Sequence, residues 1–330
     1  MTGTAASPVP PRAVCARLPL RFDIDRLVEA YHRTRELYAL ATHVAGHDGR
    51  SYHDGWQGVS LRSNGGEWRF AGPGRPSPAP FRDTEVVDRV PFWREVLDAF
   101  HCDTESVRVS VLAAGGTITP HCDEHVGFAF GRLRLHVPMV TSDAVVMEIG
   151  GQRCDWRPGE LWFGDFRHVH TVVNRGASAR AHLLLDVQVN DWVLGLFPPE
   201  FLALQPVARF PGLRRATAEE LARSQCAFAI PAESPQAAEL LDALLPAVRA
   251  EVERAAAVLG ARIVVIDDTL TLELNGVPVF ALEPLANDRF RMCGWPLRFE
   301  LRLTRGPSGI TAVSLVDGET ATTWEARHGA

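Results

Sequence analysis

Between residues 107 and 188 the chain is cut into eight short segments of β-type sequence, at 107–112, 118–121, 132–140, 144–149, 152–157, 160–164, 169–174 and 179–188. Gly115-Gly116, Gly150-Gly151, Pro158-Gly159 and Arg175-Gly176 separate several of them, and such residues end a strand and turn the chain. Many short strands at this spacing close on one another as a sandwich or barrel of the jelly-roll type. The fold class expected is therefore mainly β with flanking helices.

The flanks read differently. From Asp23 to about Leu40, apolar Ile24, Leu27, Val28 and Tyr31 recur at helical spacing, with Asp23 or Asp25 able to cap. Trp56 to Ser63 alternates as a strand does, and Asn64-Gly65-Gly66 ends it. Pro91 to Phe100 is a short helix with proline at its start. Residues 191–230 form a helical connector in which Thr217 and Glu220 make a capping box over Ala218–Gln225. A second unit begins near Pro231, with an amphipathic helical stretch from Ser234 to about Leu259 that Pro246 kinks or splits. Strands follow at 262–266, 269–274, 277–283, 297–304 and 310–316, and Asn275-Gly276 is a hairpin signal. The expected organisation is a tail over 1–17, a β core over 18–190, the connector, and a small C-terminal α+β domain over 231–330.

Bulk properties exclude several classes. A net charge of −6 favours neither nucleic acid nor an anionic membrane as partner. All 34 basic residues are arginine, which removes Schiff-base lysine chemistry and the phosphate-binding lysine of a P-loop. The six cysteines, Cys15, Cys102, Cys122, Cys154, Cys226 and Cys293, form no CxxC pair and suggest neither a zinc knuckle nor a disulfide framework. No apolar run approaches membrane-spanning length, and the small, Pro-rich N-terminus lacks the apolar core of a signal peptide. A reducing cytoplasm is the expected location.

Chemistry concentrates between residues 121 and 182. One residue separates His121 from Asp123, so both side chains fall on one face of an extended segment and reach one ion. Two histidines and a carboxylate are a recurring way to hold non-haem Fe(II) with open positions. The third ligand comes from another strand, and His168 and His170 are both candidates. Arg132, Arg134 and His136 alternate with Leu133, Leu135 and Val137, giving one cationic and one apolar face. Arg180 and His182 repeat that alternation. If helices pack the outer wall, these cations face a polar interior and attract carboxylates.

The stretch reading HCDEH…GRLRLHVPMVTS…WRPGELWFGDFRHVHTVVNRGASARAHLLLDV, over roughly 105–190, resembles the aspartyl/asparaginyl β-hydroxylase-type branch of the 2-oxoglutarate/Fe(II) dioxygenases, which includes bacterial cis-proline hydroxylases. The resemblance implies a double-stranded β-helix (cupin-like) core. It implies His121, Asp123 and His170 as iron ligands. His170 is preferred to His168 because Asp165 precedes it by five positions and Arg180 follows it by ten. It implies Arg180 for the distal carboxylate of 2-oxoglutarate, and Arg134 with His136 for the same co-substrate pocket. Asp123 places the chain nearer the proline-hydroxylase members, since some Asp/Asn hydroxylases lack the carboxylate ligand.

The expected reaction is hydroxylation of an unactivated C–H bond of an amino acid, free or within a peptide, using Fe(II), 2-oxoglutarate and O2. Arg132 is expected to contact a substrate carboxylate, with His168 beside the substrate. The competing readings are a cupin-like protein that holds a metal or small acid without oxidising it, and an isomerase on the same fold. The C-terminal unit either recognises a peptide or joins two copies as a homodimer.

Overall fold

The computed structural model describes residues 14–42, 54–70, 72–253, 258–318 and 320–327. The expected tail lies outside them up to residue 13. Its last residues belong instead to an edge strand, β1 (Cys15–Arg21), paired with Glu160–Gly164. That strand opens a sheet continued by β2 (Ala41–Thr42), β3 (Asp54–Asn64), β4 (Phe81–Asp83), β5 (Thr104–His121), β6 (Arg132–Val140), β7 (Val145–Ile149), β8 (Gln152–Arg153), β9 (Glu160–Gly164), β10 (His170–Asn174) and β11 (Arg180–Gln188). Its order is β1-β9-β6-β11-β5-β10-β7-β8, and β3 also lies on β5.

β5 is the hinge of this arrangement. Its first half pairs with β11 from Thr104 to Leu112, and its second half pairs with β10 from Thr117 to His121. One strand therefore serves two facing layers, β9-β6-β11-β5 and β5-β10-β7-β8, which together make a double-stranded β-helix. The expected break at Gly115-Gly116 is a bend instead. Gly115 adopts φ +74°, which glycine reaches without a Cβ clash, and the strand turns its corner unbroken. The expected strand at 152–157 shortens to Gln152–Arg153, just past which Cys154 N–H donates to the Met147 carbonyl at 2.8 Å.

Helices α1 (Ile24–Leu37), α2 (Glu85–Arg89) and α3 (Phe92–Asp98) cover the outer wall. Asp23 caps α1 by accepting from the N–H groups of Asp25 and Arg26. Leu27, Tyr31, Trp93 and Val96 share one buried cluster with Leu133, Leu135 and Val137 of β6 and with Leu183, Leu185 and Val187 of β11. With the apolar residues of β6 and β11 committed outward, their alternating polar residues face the interior.

Past β11 come α4 (Asp191–Leu194), α5 (Pro199–Leu202) and α6 (Ala218–Arg223), the last with the capping box of Thr217 and Glu220. The second sheet is a meander of β12 (Cys226–Pro231), β13 (Val258–Ile266), β14 (Thr269–Leu274), β15 (Val277–Pro284), β16 (Arg289–Met292), β17 (Phe299–Gly306), β18 (Gly309–Asp317) and β19 (Thr320–Glu325). Reciprocal N–H···O bonds of 3.2 and 2.7 Å between Ala227 and Arg327 draw its ends together. Pro246 starts a new helix, so the expected long helix is two, α7 (Pro235–Asp242) and α8 (Pro246–Val252). β12, β16 and β19 go beyond the expected strands, and β12 lies inside the expected helical connector. No helix of the described residues is long and apolar enough to cross a membrane.

The two sheets meet through backbone and buried charge. Ala281 N–H donates to the Ser77 carbonyl at 2.7 Å, and Phe81 packs on Ala281 and Cys293. Any Cβ on Gly294 would fall 1.8 Å from the Arg75 carbonyl oxygen, so only glycine fits there. Glu105, buried at the start of β5, accepts from Arg132 at 2.8 Å and lies 3.8 Å from Arg291, which also pairs with Glu283 at 2.8 Å. Glu105→Ala should cost about 1.5–3 kcal/mol, because Arg132 loses its carboxylate partner while Arg291 keeps Glu283. Urea unfolding would read this, and a loss below about 1 kcal/mol would refute it.

Candidate metal centre and anion pocket

His121 ends β5 and His170 begins β10, and the ladder sets them opposite one another. Their ring centroids are 4.1 Å apart. His121 Nδ1 lies 2.8 Å from the Thr119 carbonyl and His170 Nδ1 lies 3.0 Å from that of His168. Each Nδ1–H donation fixes the tautomer and leaves the Nε2 lone pair for a common point. Asp123 follows the strand and is held by its N–H, which donates to the Phe166 carbonyl at 2.8 Å. Its carboxylate oxygens lie 3.7 Å from His121 Nε2 and 4.0 Å from His170 Nε2. The ligating atoms of the three residues all fall within 4.8 Å of one another.

A charge network stands behind Asp123. Arg134 donates from Nη1 to Asp123 Oδ2 and grips Asp186 with Nε and Nη2 at 2.7 and 3.0 Å. Arg108, buried, adds a 3.1 Å contact to Asp186. Burial opposes ionisation of Asp186, yet Arg134 and Arg108 outweigh it and bring its carboxyl down to about 2. The stability this group contributes is complete above about 4, its ordinary range, and is lost as pH falls towards about 2. Over that window the wild type should lose on the order of 2 kcal/mol more than Asp186→Asn in urea unfolding. Parallel pH profiles would refute the assignment.

Across the interior, Arg180 of β11 is only 2% exposed. Its Nη2 donates to His182 Nδ1 at 2.8 Å and lies 3.9 Å from Met147 Sδ. No carboxylate of the described residues pairs with it, and its Nε has no hydrogen-bond partner among them. Burial without a counter-charge brings its pKa down to about 9. His136 and His182, also buried, are held well below the ordinary histidine value by burial and then by Arg180. His136 Nε2 is a second buried polar atom without a partner among the described residues. Its ring stacks on Phe166, which touches His170 edge-on. The void between triad and guanidinium is lined by Trp56, Ser110, Arg134, His136, Met147 and Phe166. A buried cation lacking an anion, facing an oxygen- and nitrogen-donor triad across a small void, fits a metal ion chelated by a dianion.

The structure separates the other two expected site residues from this void. Arg132 shares the face of Arg134 and His136 but sits four residues before the latter, roughly 13 Å along the strand. Its guanidinium is taken by Glu105 and by the Trp295 carbonyl at 3.3 Å, so it is not available to a substrate carboxylate there. His168 lies in a turn, its N–H donating to the Asp165 carbonyl at 3.1 Å, and its ring is 3.5 Å from the Asp165 carboxylate, outside the triad. Sequence reasoning missed Arg108 and Asp186. Asp186 was within reach, since it continues the alternation of Arg180 and His182 along β11.

A family model described as aspartyl/asparaginyl beta-hydroxylase matches residues 23–189, about half of the chain. No curated protein is significantly similar in sequence. Solved structures similar to part of the chain include an oxidoreductase of the 2OG-Fe(II) oxygenase family from Burkholderia pseudomallei, at 11% identity over 53% of this chain and 85% of that one, with a TM-score of 0.35. Another is a prolyl hydroxylase from Trichoplax adhaerens in complex with a hypoxia-inducible-factor peptide fragment, at 12% identity over 53% and 83%, with a TM-score of 0.35. A prolyl-4-hydroxylase from Pseudomonas putida aligns at 12% identity over 53% and 93%, with a TM-score of 0.34.

Proposed function

Since the chain belongs to the aspartyl/asparaginyl beta-hydroxylase family, we propose that it is a 2-oxoglutarate- and Fe(II)-dependent dioxygenase that hydroxylates an unactivated C–H bond of an amino acid, Asp/Asn- or Pro-like, free or within a peptide or natural-product precursor. The observation that carries this reading is the convergence of His121, Asp123 and His170 on one point, opposite a buried Arg180 that lacks an anion. His121, Asp123 and His170 would hold the iron, which with 2-oxoglutarate and O2 would supply the oxidising equivalent for the C–H bond, 2-oxoglutarate being converted to succinate and CO2.

The protein's share is positioning and charge. Two imidazoles oriented by Nδ1–H donation and one carboxylate restrained by Arg134 form a ligand face that would close slightly around the ion. Arg180 neutralises the distal carboxylate of the co-substrate, and His136 and Ser110 line the path between. Phe166, Met147 and Trp56 keep water from that path. Residues 18–190 are the catalytic unit in this reading, and 231–330 recognise a larger substrate or join two copies.

Anaerobic addition of Fe(II) and then 2-oxoglutarate should produce a weak visible charge-transfer band that saturates at one equivalent of each. Absence of the band, with no O2 consumption on later exposure to air and candidate amino acids, would point to a non-oxidising binder.

A further inference from the structure

The β core has a second opening. The triad lies at one end, where β5 stops and β10 starts. At the other end Thr141, Ser142 and Asp143 follow β6, Val145 opens β7 opposite Asn174, and Arg180 opens β11 opposite Leu112. These residues and the segment 153–158 wall a cleft of about 500 Å³. Arg180 and Met147 line both this cleft and the void beside the triad, and so form the partition between them. Trp156 and His182 line the cleft and not the void, whereas Trp56 and Ser110 line the void and not the cleft.

The floor of the cleft is made of donors. A guanidinium can only donate, so the 2.8 Å contact from Arg180 Nη2 makes His182 Nδ1 the acceptor. Burial, and then the positive charge of Arg180, keep the His182 ring neutral, so its one proton is on Nε2. Among the described residues nothing accepts that proton. Arg180 Nε–H is likewise without a partner among them, as is Nε1–H of Trp156, a ring only 6% exposed. No carboxylate lies at that depth in the cleft. Asp155 is out on the rim, 2.9 Å from Arg153, and Asp143 is exposed. Arg157, also exposed on the rim, has no ion pair among the described residues. Buried donors without acceptors are costly, and an oxyanion is the group that offsets that cost best.

We propose that this cleft is a second anion site, which takes the carboxylate of a small organic acid on His182 Nε2–H and the Arg180 guanidinium, with Arg157 at the entrance. Neighbouring donors suit the two oxygens of a carboxylate. Val145, Met147 and Pro158 give the carbon chain of the acid an apolar wall. A guanidinium carries five N–H donors. His182 takes one and the distal carboxylate of the co-substrate takes two, so Arg180 can serve both cavities. The site goes beyond the reaction proposed above and needs neither iron nor 2-oxoglutarate.

The test is 19F NMR of the full, metal-free chain labelled with 5-fluorotryptophan, titrated with succinate and separately with inorganic phosphate at constant ionic strength. Trp156 reports the cleft and Trp56 the void, their signals being identified by Trp156→Phe and Trp56→Phe. Succinate should shift the Trp156 signal saturably and leave that of Trp56 in place. In Arg157→Ala the midpoint should rise about 3- to 5-fold, which is what an exposed ion pair is worth. A Trp56 signal that moves alone, or with Trp156 at one midpoint, would put the anion in the inner void and overturn the proposal. A still Trp156 signal with both ions would do the same, and a tighter response to phosphate would overturn the carboxylate assignment. Unlabelled wild type gives a check that needs no variant: succinate should slow modification of Arg157 by phenylglyoxal, read by peptide mapping, and unslowed modification would also overturn the site. Because metal and co-substrate are absent throughout, failure of the iron and 2-oxoglutarate titration above would leave these results standing.

Discussion

Replacing His121 or Asp123 by alanine is expected to abolish 2-oxoglutarate turnover, with a loss well beyond about 100-fold. Removing a partner that merely orients a metal ligand typically costs 10–100-fold, and these side chains are the proposed ligands themselves. The folded state should survive both changes. His121 is at the end of a long, doubly paired strand, and its ring adds little to the core. Without Asp123, Arg134 keeps its bidentate grip on Asp186, so no buried guanidinium is left alone. Succinate formation, iron content and circular dichroism measured together check the prediction. Undiminished succinate from either variant would remove the metal assignment, whereas a lost dichroism signal would mean that folding, not ligation, had failed.

Arg180→Ala should raise the KM for 2-oxoglutarate by about 100- to 1,000-fold, because two charge-assisted hydrogen bonds to a desolvated carboxylate disappear. Arg180→Lys keeps the charge but loses the planar fork, and should fall between. Stability should move the other way. A guanidinium that is buried without a counter-charge is a cost to the folded chain. Its removal should leave the unfolding midpoint unchanged or raise it, even as co-substrate affinity collapses. Kinetics and urea denaturation on one preparation give both numbers. An unchanged KM would place the co-substrate carboxylate elsewhere.

The β core was legible because its signals are local. Period-two alternation and glycine or proline punctuation are properties of neighbouring residues, and all eight core segments became strands, the first two fused through Gly115. Part of the triad was legible for a similar reason, since His121 and Asp123 are two apart; His170 was separated from His168 only by the family resemblance, through Asp165 and Arg180, and the ladder then sets it opposite His121. What escaped was whatever depended on distant partners. Whether Arg132 meets solvent, substrate or protein is decided by Glu105 and by a carbonyl from the second sheet, and no spacing rule reports that. His168 and His170 look equivalent in an extended chain. They differ because the backbone is still turning at His168 and enters the strand only at His170. In the second sheet, β16 reads RFRM and β12 reads CAFAIP, sequences of weak strand preference that pairing on the sheet overrides.

The junction at Glu105, Arg132 and Arg291 bears on how the molecule melts. Cutting the chain near residue 230 would leave Arg132 and Glu105 facing water on the rim of β5 and β6, while Ser77 and Phe81 would lose their cover. The two halves are thus coupled, and calorimetry should register one cooperative endotherm where independent modules would give two. A shortened protein that lost activity would for that reason say little about substrate recognition until its heat capacity trace had been compared with that of the intact chain.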